Sequence, residues 1–180
     1  MTAPSLDDQL QEMVAQATPA PGTPARDPVN PPMIRHWCDA IGDANPVYTD
    51  PAAAEASCFG GIVAPPTMLQ AWSMLGLANR GPGSKTEPPR AGGGPTQLLN
   101  EAGYTSVVAT DCEQEYLRYL RPGDLLTGET ELESISGEKS TGLGDGYFLT
   151  TRTTYRDQEG EVVGIMRFRI LWFKPRQKGG

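Results

Sequence analysis

The residues with the clearest chemical potential lie in the stretch AIGDANPVYTD, from Ala40 to Asp50. An acid, Asp43, follows a glycine in this stretch and precedes the turn-forming pair Asn45-Pro46. A carboxylate held in a loop at the edge of an apolar pocket has a shifted pKa and can transfer protons. Asp and Asn before proline also form ordinary turns, because they bond their own backbone. The loop therefore indicates an acid–base site or a turn, and the local sequence leaves both open.

A second candidate is the segment GGIVAPPT, residues 60–67, which opens an apolar stretch. Unpaired backbone N–H groups at the start of a helix stabilise a developing oxyanion. Prolines have no N–H, so the candidate donors in this segment are Ile62, Val63, Ala64 and Thr67. A purely structural helix start explains the same pattern.

Basic residues that could bind the phosphates of a cofactor are scattered along the chain. The Gly/Pro-rich loop over residues 79–97 contains Arg80, Lys85 and Arg90. The last two predicted strands and their end carry Arg152, Arg167, Arg169, Lys174 and Arg176. Any subset could bind phosphate through charge-assisted hydrogen bonds, and ordinary ion pairs are the alternative for each one. We expect one such pair between Arg156 and Glu161 across a hairpin.

The elements that must position these residues are helices first and strands after them. Asn30 caps a predicted helix that ends at Gly42, and its buried face is Met33, Ile34, Trp37 and Ile41. His36 lies on another face of this helix, which is typical of a surface histidine. Thr49 or Asp50 caps a short second helix.

A buried helix and an antiparallel sheet are predicted to follow. The stretch GGIVAPPTMLQAWSMLGL is apolar nearly all round, which is typical of a buried helix. After residue 97, alternating patterns, a Pro122-Gly123 turn and a DQEG hairpin turn predict a run of antiparallel strands. The predicted fold class is α+β, with a long central helix wrapped by a curled antiparallel sheet.

Residues 1–27 are predicted to form an N-terminal arm, separate from a domain over 28–180. A short amphipathic helix, capped by Ser5, occupies residues 5–17, and a Pro-rich linker follows it. We expect the arm to lie on the domain or on a partner, and a frayed tail is the alternative.

Composition excludes several classes of function. The 180 residues carry a formal net charge of −7, which argues against a nucleic-acid partner. Three widely spaced cysteines and a single histidine, His36, argue against disulfides and a metal site. No signal peptide and no run long enough to span a membrane is evident, so a cytoplasmic protein is expected. GxGxxG, P-loop and GxSxG motifs are absent, which disfavours hydride transfer, phosphoryl transfer and triad hydrolysis.

Three stretches in order, AIGDANPVYTDPAAA, GGIVAPPTMLQAW and LRPGDLLTGETEL, resemble the MaoC-like (R)-specific enoyl-CoA hydratase family. Within it, the likeness is greatest to the MaoC-like domains of actinobacterial steroid side-chain hydratases, and it covers roughly residues 28–174. The resemblance implies a hotdog fold and a CoA thioester as substrate, with no permanently bound cofactor. It implies that the N–H groups of Val63 and Ala64 bind the thioester oxygen. It also places Asn45 and Tyr48 at the substrate, and Arg80, Lys85 and Arg90 become candidates for the CoA phosphates.

The loop departs from the family pattern, Gly-Asp-x-Asn-Pro-x-His, at its last position. Gly42, Asp43, Asn45 and Pro46 match, but Tyr48 stands where the family has its histidine. A tyrosine with a pKa of about 10 is protonated at neutral pH and cannot replace imidazole as a base. Because the family's sites lie between two hotdogs, the resemblance implies a second small MaoC-like subunit that carries the intact Asp/His loop. A further C-terminal domain, frequent in such proteins, is expected to be missing from this chain, which stops at Gly180.

The function expected from these observations is that of a subunit of a heteromeric enoyl-CoA hydratase with little activity alone. Its substrate would be an α,β-unsaturated acyl-CoA, and a steroid side-chain acyl group is favoured. One alternative is a homodimeric hotdog that binds acyl-CoA without hydrating it. A thioesterase on the same fold is a third possibility, and release of free CoA thiol would reveal it.

Overall fold

The structure, a computed structural model, describes residues 4–20, 22, 24–74, 76 and 94–176. Its α-helices are α1 (Leu6–Ala15), α2 (Pro31–Ile41), α3 (Pro51–Glu55), α4 (Leu69–Trp72) and α5 (Pro95–Glu101). The predicted caps are confirmed, because the side chains of Ser5, Asn30 and Asp50 accept hydrogen bonds from the first turns of α1, α2 and α3. Gly42 ends α2 in the left-handed conformation, with φ 71°.

Helix α2 packs with a narrower face than its sequence predicts. Ile34 is fully buried, and Met33 and Trp37 pack against the core while partly exposed. Ile41 is 53% exposed, so its assignment to the buried face is wrong. It occupies the last turn, beyond the part of the helix that reaches the core. His36 is exposed, as expected.

The long central helix predicted over GGIVAPPTMLQAWSMLGL is wrong in its length. The segment forms only a 3-10 turn, Pro66–Met68, followed by the single α-helical turn of α4. Its first residues are not helical, because Pro65 has ψ 130° and the N–H of Ala64 bonds to the carbonyl of Leu120 instead. Downstream, Gly76 adopts φ 79°, a conformation that interrupts helices. An apolar run shows burial, but it does not establish helical length.

The strands form one antiparallel sheet, which confirms the predicted α+β class. They are β1 (Ser106–Tyr116), β2 (Thr127–Ile135), β3 (Lys139–Ser140), β4 (Gly144–Arg156) and β5 (Val162–Pro175). The spatial order is β1-β5-β4-β2, and β3 pairs with β4. The predicted type II turn is present before β2, since Gly123 has φ 103° and the N–H of Asp124 bonds to the carbonyl of Arg121 at 3.0 Å.

Alternate residues of β4 and β5 face one side of the sheet and form two cores at opposite ends of these strands. One core joins α2, α4 and the β4–β5 hairpin end, and it includes Ile34, Leu69, Trp72, Tyr155 and Met166. The other joins α1 and α5 to the far end of the same strands, and it includes Leu10, Leu99, Ile135, Tyr147 and Leu149. Every helix that supplies residues to these two cores packs on this side of the sheet, and we call it the concave face.

The N-terminal arm lies on the domain, so the frayed-tail alternative is wrong. Leu10 of α1 is fully buried, and the O–H of Tyr147 donates to Asp7 at 2.7 Å. Beyond α1, the arm runs antiparallel along β2 through bridges from Ala20 to Thr130 and from Pro24 to Thr127. The arm thus covers the edge of β2, whereas β1 pairs only with β5 among the described strands.

Charges occupy the opposite side of the sheet, and their pairing differs from one expectation. Arg156 bonds to Glu129 at 3.1 Å, and Glu161 bonds to Arg118 at 3.3 Å, so the predicted pair between Arg156 and Glu161 is wrong. The neighbouring strand β2 offers Arg156 a cross-strand acid on the same face, whereas Glu161 lies past the hairpin turn.

Candidate active site

The loop after α2 is a tightly bonded turn. The Asp43 carboxylate accepts a hydrogen bond from the N–H of Asn45 at 3.0 Å. The side-chain amide oxygen of Asn45 in turn accepts one from the N–H of Val47 at 3.3 Å. Asn45 thereby caps the 3-10 helix Pro46–Tyr48. Both polar residues of the motif are accordingly used for the shape of the loop, and Asp43 keeps a partly exposed carboxylate that has a free oxygen.

Tyr48, in the position of the expected proton carrier, points into the apolar core. Its ring packs, partly buried, against the cluster that contains Ala64. Burial raises the pKa of the Tyr48 phenol, and the nearby Tyr119 and Asp43 raise it further. The hydroxyl is therefore protonated at neutral pH, and it can donate a hydrogen bond but cannot act as a base.

The GGIVAPPT segment lies beside the chain that leaves β1. The N–H of Ala64 donates to the carbonyl of Leu120 at 2.8 Å, and Arg121 donates to the carbonyl of Phe59 at 2.7 Å. The rings of Phe59 and Tyr119 meet with centroids 4.6 Å apart. Since Tyr119 is also close enough to Tyr48 to raise its pKa, these aromatic residues form one wall beside the loop.

Only one of the two predicted thioester-binding N–H groups remains available. The N–H of Ala64 is engaged by Leu120, so in this arrangement it is not a free oxyanion donor. The N–H of Val63 has no acceptor among the described residues, although Val63 is fully buried. A buried amide without a partner costs free energy unless an acceptor reaches it. Val63 is thus the stronger of the two candidates.

The structure reveals an arginine cluster beside this wall that sequence reasoning missed. Arg118 lies 2.7 Å from both Asp124 and Asp157 and 3.3 Å from Glu161. These residues, together with Phe59, Tyr119, Arg121, Gln158 and Glu159, line an open polar depression. Its acids outnumber its arginines, which disfavours a phosphate. Arg118 lies within LRYLRPGD, but no local pattern connects it to acids 39 residues away.

The proposed contacts to CoA phosphates are Arg80, Lys85 and Arg90, and all three lie outside the described residues. Of the other basic candidates, Arg152 pairs with Glu131 at 3.2 Å and Arg167 with Glu133 at 2.9 Å. These arginines stabilise the convex side of the sheet, opposite the loop.

No element that the structure describes covers the concave side of β1 next to this site. Residues of β1 that alternate toward the concave face remain accessible, and Val107 and Tyr116 are 53% and 41% exposed. Ala109 and Cys112, also on this side, are exposed, and Gln114 is partly buried. We call this row the open strip. Because α4 ends at Trp72, that helix does not extend over it.

Neither a metal nor a membrane span is indicated within the described part of the chain. No group of three or more His, Cys, Asp and Glu residues comes together there as a metal site would require. No helix described by the structure has the length and apolar character needed to cross a membrane.

Comparison with known proteins identifies the class of protein. The model of the FAS1-like dehydratase domain region matches residues 17–166. The chain therefore belongs to the FAS1-like dehydratase family. MaoC-like dehydratases of known structure superpose on it at lower identity, which confirms the hotdog fold.

Particular relatives are closer. The chain is 49% identical to a probable enoyl-CoA hydratase alpha subunit from Thermomonospora curvata, covering 98% of this chain and 54% of the relative. It is 48% identical to the 3-oxo-4,17-pregnadiene-20-carboxyl-CoA hydratase alpha subunit from Mycobacterium tuberculosis, over 92% of this chain and 52% of that one. A crystal structure of the ChsH1-ChsH2 complex from the same organism matches with a TM-score of 0.82 and 41% identity, covering 96% of this chain and 93% of that chain. The chain thus spans about half the length of the curated relatives that it matches.

Proposed function

We propose that this chain is the MaoC-like part of a heteromeric enoyl-CoA hydratase that acts on a bulky, steroid-type acyl-CoA. Water adds across the conjugated double bond, so that its hydroxyl joins Cβ and a proton joins Cα. A base must take a proton from water, an acid must protonate Cα, and an N–H donor must stabilise the enolate oxygen of the thioester. The reaction is not a redox step, so it needs no cofactor besides the CoA thioester.

The observation that carries this proposal is a loop that keeps its shape but lacks the family's histidine. The Asp43–Asn45 turn and the 3-10 helix are formed, yet Tyr48 points into the core with a raised pKa. His36, the chain's only histidine, is exposed on α2. A site with this loop needs its proton carrier from elsewhere, and a second hotdog subunit with an intact Asp/His pair provides it. The alpha-subunit names of the relatives support the presence of such a partner.

The edge of β1 is the surface that we propose for this partner. Among the described strands, this 11-residue strand pairs only with β5, and apolar residues near its ends are exposed, including Val108, Leu117 and Tyr119. A long unpaired strand edge is a template for pairing with another chain. Antiparallel pairing there would place the partner's loop beside the open strip, so that both subunits form one site.

The proposed roles of the chain's own residues follow from the geometry. The N–H of Val63 holds the thioester oxygen, Asp43 and Asn45 shape the loop, and Tyr48 forms part of the acyl-pocket wall. The short α4 leaves the open strip without cover from any described element, which suits a wide acyl group and agrees with the steroid-type substrate in the name of one relative. Arg80, Lys85 and Arg90 would contact the phosphates of CoA.

We further propose how the chain divides into two parts and where the complex works. Residues 28–180 would form the hotdog domain and 1–27 its arm, with the arm serving as a brace rather than as part of the site. Since CoA thioesters are formed and consumed inside cells, the complex would work in the cytoplasm.

The test is co-expression of the chain with a small hotdog subunit that carries an intact Asp/His loop, followed by measurement of enoyl-thioester absorbance. We expect hydration by the complex and little by the chain alone. Changing the partner's acid to its amide should abolish turnover, whereas Tyr48→Phe should leave the pH–rate profile unchanged. Full activity of the purified chain without a partner would overturn the proposal.

Asp43→Asn is the critical variant within this chain. The amide oxygen still accepts the N–H of Asn45, so the turn can form while the charge is removed. We expect turnover to fall by no more than about threefold, since shape is the proposed role. Complete loss of turnover in a folded complex would assign the chemistry to Asp43 instead. Release of free CoA thiol would favour a thioesterase, and unchanged thioester with every partner would favour a carrier.

A further inference from the structure

A buried hydrogen-bond donor at the end of α4 lacks an acceptor among the described residues of the concave face. The indole N–H of Trp72 is buried and has no partner within the described part of the chain, although the residue is only 4% exposed. The O–H of Tyr155, a residue 1% exposed, contacts the sulfur of Met166 at 4.0 Å, and its oxygen is also hydrogen-bonded by the side chain of Ser73. The Gln114 amide nitrogen also contacts only sulfur, that of Met166 at 3.5 Å and that of Cys112 at 3.9 Å. We call Trp72 and Gln114 the donor patch.

The orientation of Gln114 is set by its neighbour on the same strand. The O–H of Tyr116 donates to the side-chain oxygen of Gln114 at 2.7 Å. The amide NH₂ must then face the concave side, where Met166 lies directly opposite on β5. Gln114 is partly buried at the border of the open strip, so its donors are the accessible ones of the patch.

A thioether is a weak acceptor, and an indole N–H can only donate. Buried donors are normally paired, so the unpaired indole N–H of Trp72, together with the Gln114 amide that meets only sulfur, calls for an acceptor oxygen. We propose that the donor patch binds an acceptor oxygen, such as a ketone, at the end of the acyl group remote from the thioester. This inference rests on the proposed function, because it concerns the same acyl group.

The position of the patch fits a long acyl group. The 3-10 turn and α4 span seven residues, Pro66–Trp72, which corresponds to about 12 Å of axial rise. Val63 precedes this segment, whereas Trp72 ends it. An acyl group that is held by Val63 at its thioester and follows α4 therefore meets the donor patch only if it is long. A short-chain acyl group ends before the patch.

The experiment compares two CoA thioesters on the complex of this chain with its partner subunit. One is 3-oxo-4,17-pregnadiene-20-carboxyl-CoA, the compound in the name of the Mycobacterium tuberculosis relative, and the other lacks only the ring ketone. We expect the ketone to raise kcat/KM by about tenfold, as one hydrogen bond supplies. Gln114→Glu keeps an oxygen for Tyr116 but removes both donors, so it should abolish this preference. Glu113→Gln, on the same strand but on the opposite face, is the matched control and should retain it.

The ratio between the two thioesters, rather than the rate itself, decides the question. A purely structural role of Gln114 would lower both rates equally, and this result would overturn the inference. So would a wild-type complex that does not discriminate, since water would then satisfy the donors. If neither thioester is hydrated, the proposed function fails separately. Calorimetry then measures how tightly the same complex binds the two thioesters after their reactive double bond has been saturated. About tenfold tighter binding of the ketone supports the donor patch as a binding site, and equal binding refutes it.

Discussion

Replacing Arg118 with methionine tests what stabilises the end of the molecule next to the candidate site. The guanidinium bonds to Asp124 and Asp157 at 2.7 Å and to Glu161 at 3.3 Å. Asp157 is 6% exposed, whereas Arg118 is 27% exposed at its side chain. The variant leaves a buried carboxylate without its cation while it retains most of the side-chain volume.

The size of the stability loss in Arg118→Met depends on the hydrogen bonds that Asp157 keeps. Breaking a buried ion pair costs about 3–5 kcal/mol, because one charge remains buried and uncompensated. The Asp157 carboxylate still accepts the N–H groups of Glu159 at 3.0 Å and Glu161 at 2.9 Å, and Arg118 is partly solvated. Both facts reduce the loss, so we expect Arg118→Met to lower the free energy of unfolding by about 2–3 kcal/mol at neutral pH.

The stability loss in Arg118→Met should depend on pH, because Asp157 is a titratable group. Burial by itself raises the pKa of the Asp157 carboxyl, but the hydrogen bonds from Arg118 and the N–H groups of Glu161 and Glu159 hold that pKa below its usual range. A folded pKa below the unfolded one adds stability above an unfolded value of about 3.9, and this stability is lost as the pH falls through the folded pKa. Protonated Asp157 needs no cation, so the cost of Arg118→Met should shrink below pH of about 4.

The assay is urea denaturation at neutral and acidic pH, followed by circular dichroism. Arg169→Met is the matched control, since Arg169 lies 3.7 Å from Asp111 and both side chains are about half exposed. We expect this control to change stability by less than about 1 kcal/mol. Equal losses in the two variants, or a loss for Arg118→Met that does not depend on pH, would refute the reasoning.

Three further predictions concern the arm and its contacts. Leu10→Ala removes a side chain that is fully buried, so it should cost about 3–5 kcal/mol in urea denaturation, and a cost below about 1 kcal/mol would show that the arm is dispensable. Burial, together with the hydrogen bond to Glu138, raises the pKa of Tyr104 to about 12. Since an unfolded tyrosine titrates near pH 10, the stability that Tyr104 contributes is complete below about pH 10 and is lost as the pH rises toward 12. Tyrosinate absorbance should show a late titration, and Tyr104→Phe should reduce its amplitude. In Gly22→Ala the new Cβ would lie 2.6 Å from the Gly128 carbonyl oxygen, so the arm should leave β2 and self-association should rise in sedimentation measurements; unchanged sedimentation would contradict a role of the arm at this edge.

Features that depend on neighbouring residues could be predicted from the sequence. Asn30 caps α2 and Gly42 ends it because a side-chain acceptor and a left-handed residue act within one turn. Pro122-Gly123 forms a type II turn for the same local reason. The family resemblance also indicated the hotdog fold, which the comparisons confirm.

Features that depend on distant pairing could not be predicted. An apolar run after Gly61 indicated burial correctly. The helix does not begin where the run begins, however, because the N–H of Ala64 bonds to Leu120, 56 residues away, and nothing in the run predicts this bond. For the same reason the segment GGIVAPPT indicated the N–H of Ala64 as a free donor, and only the structure shows that this N–H is occupied. Arg118 gathers acids from two separate turns, which one-dimensional patterns do not bring together.

The arm that runs along β2 has a consequence for how many chains can join. A sheet with two free edges can add neighbours at both and grow without limit, as fibrils do. Here the chain's own residues 20 and 24 bridge to β2, and this end of the sheet is already occupied. Among the described strands, β1 is the edge that remains unpaired, and it can accept a single strand before it too is occupied. The N-terminal arm thus gives the sheet a valence of one, so that association through its strands ends at a pair.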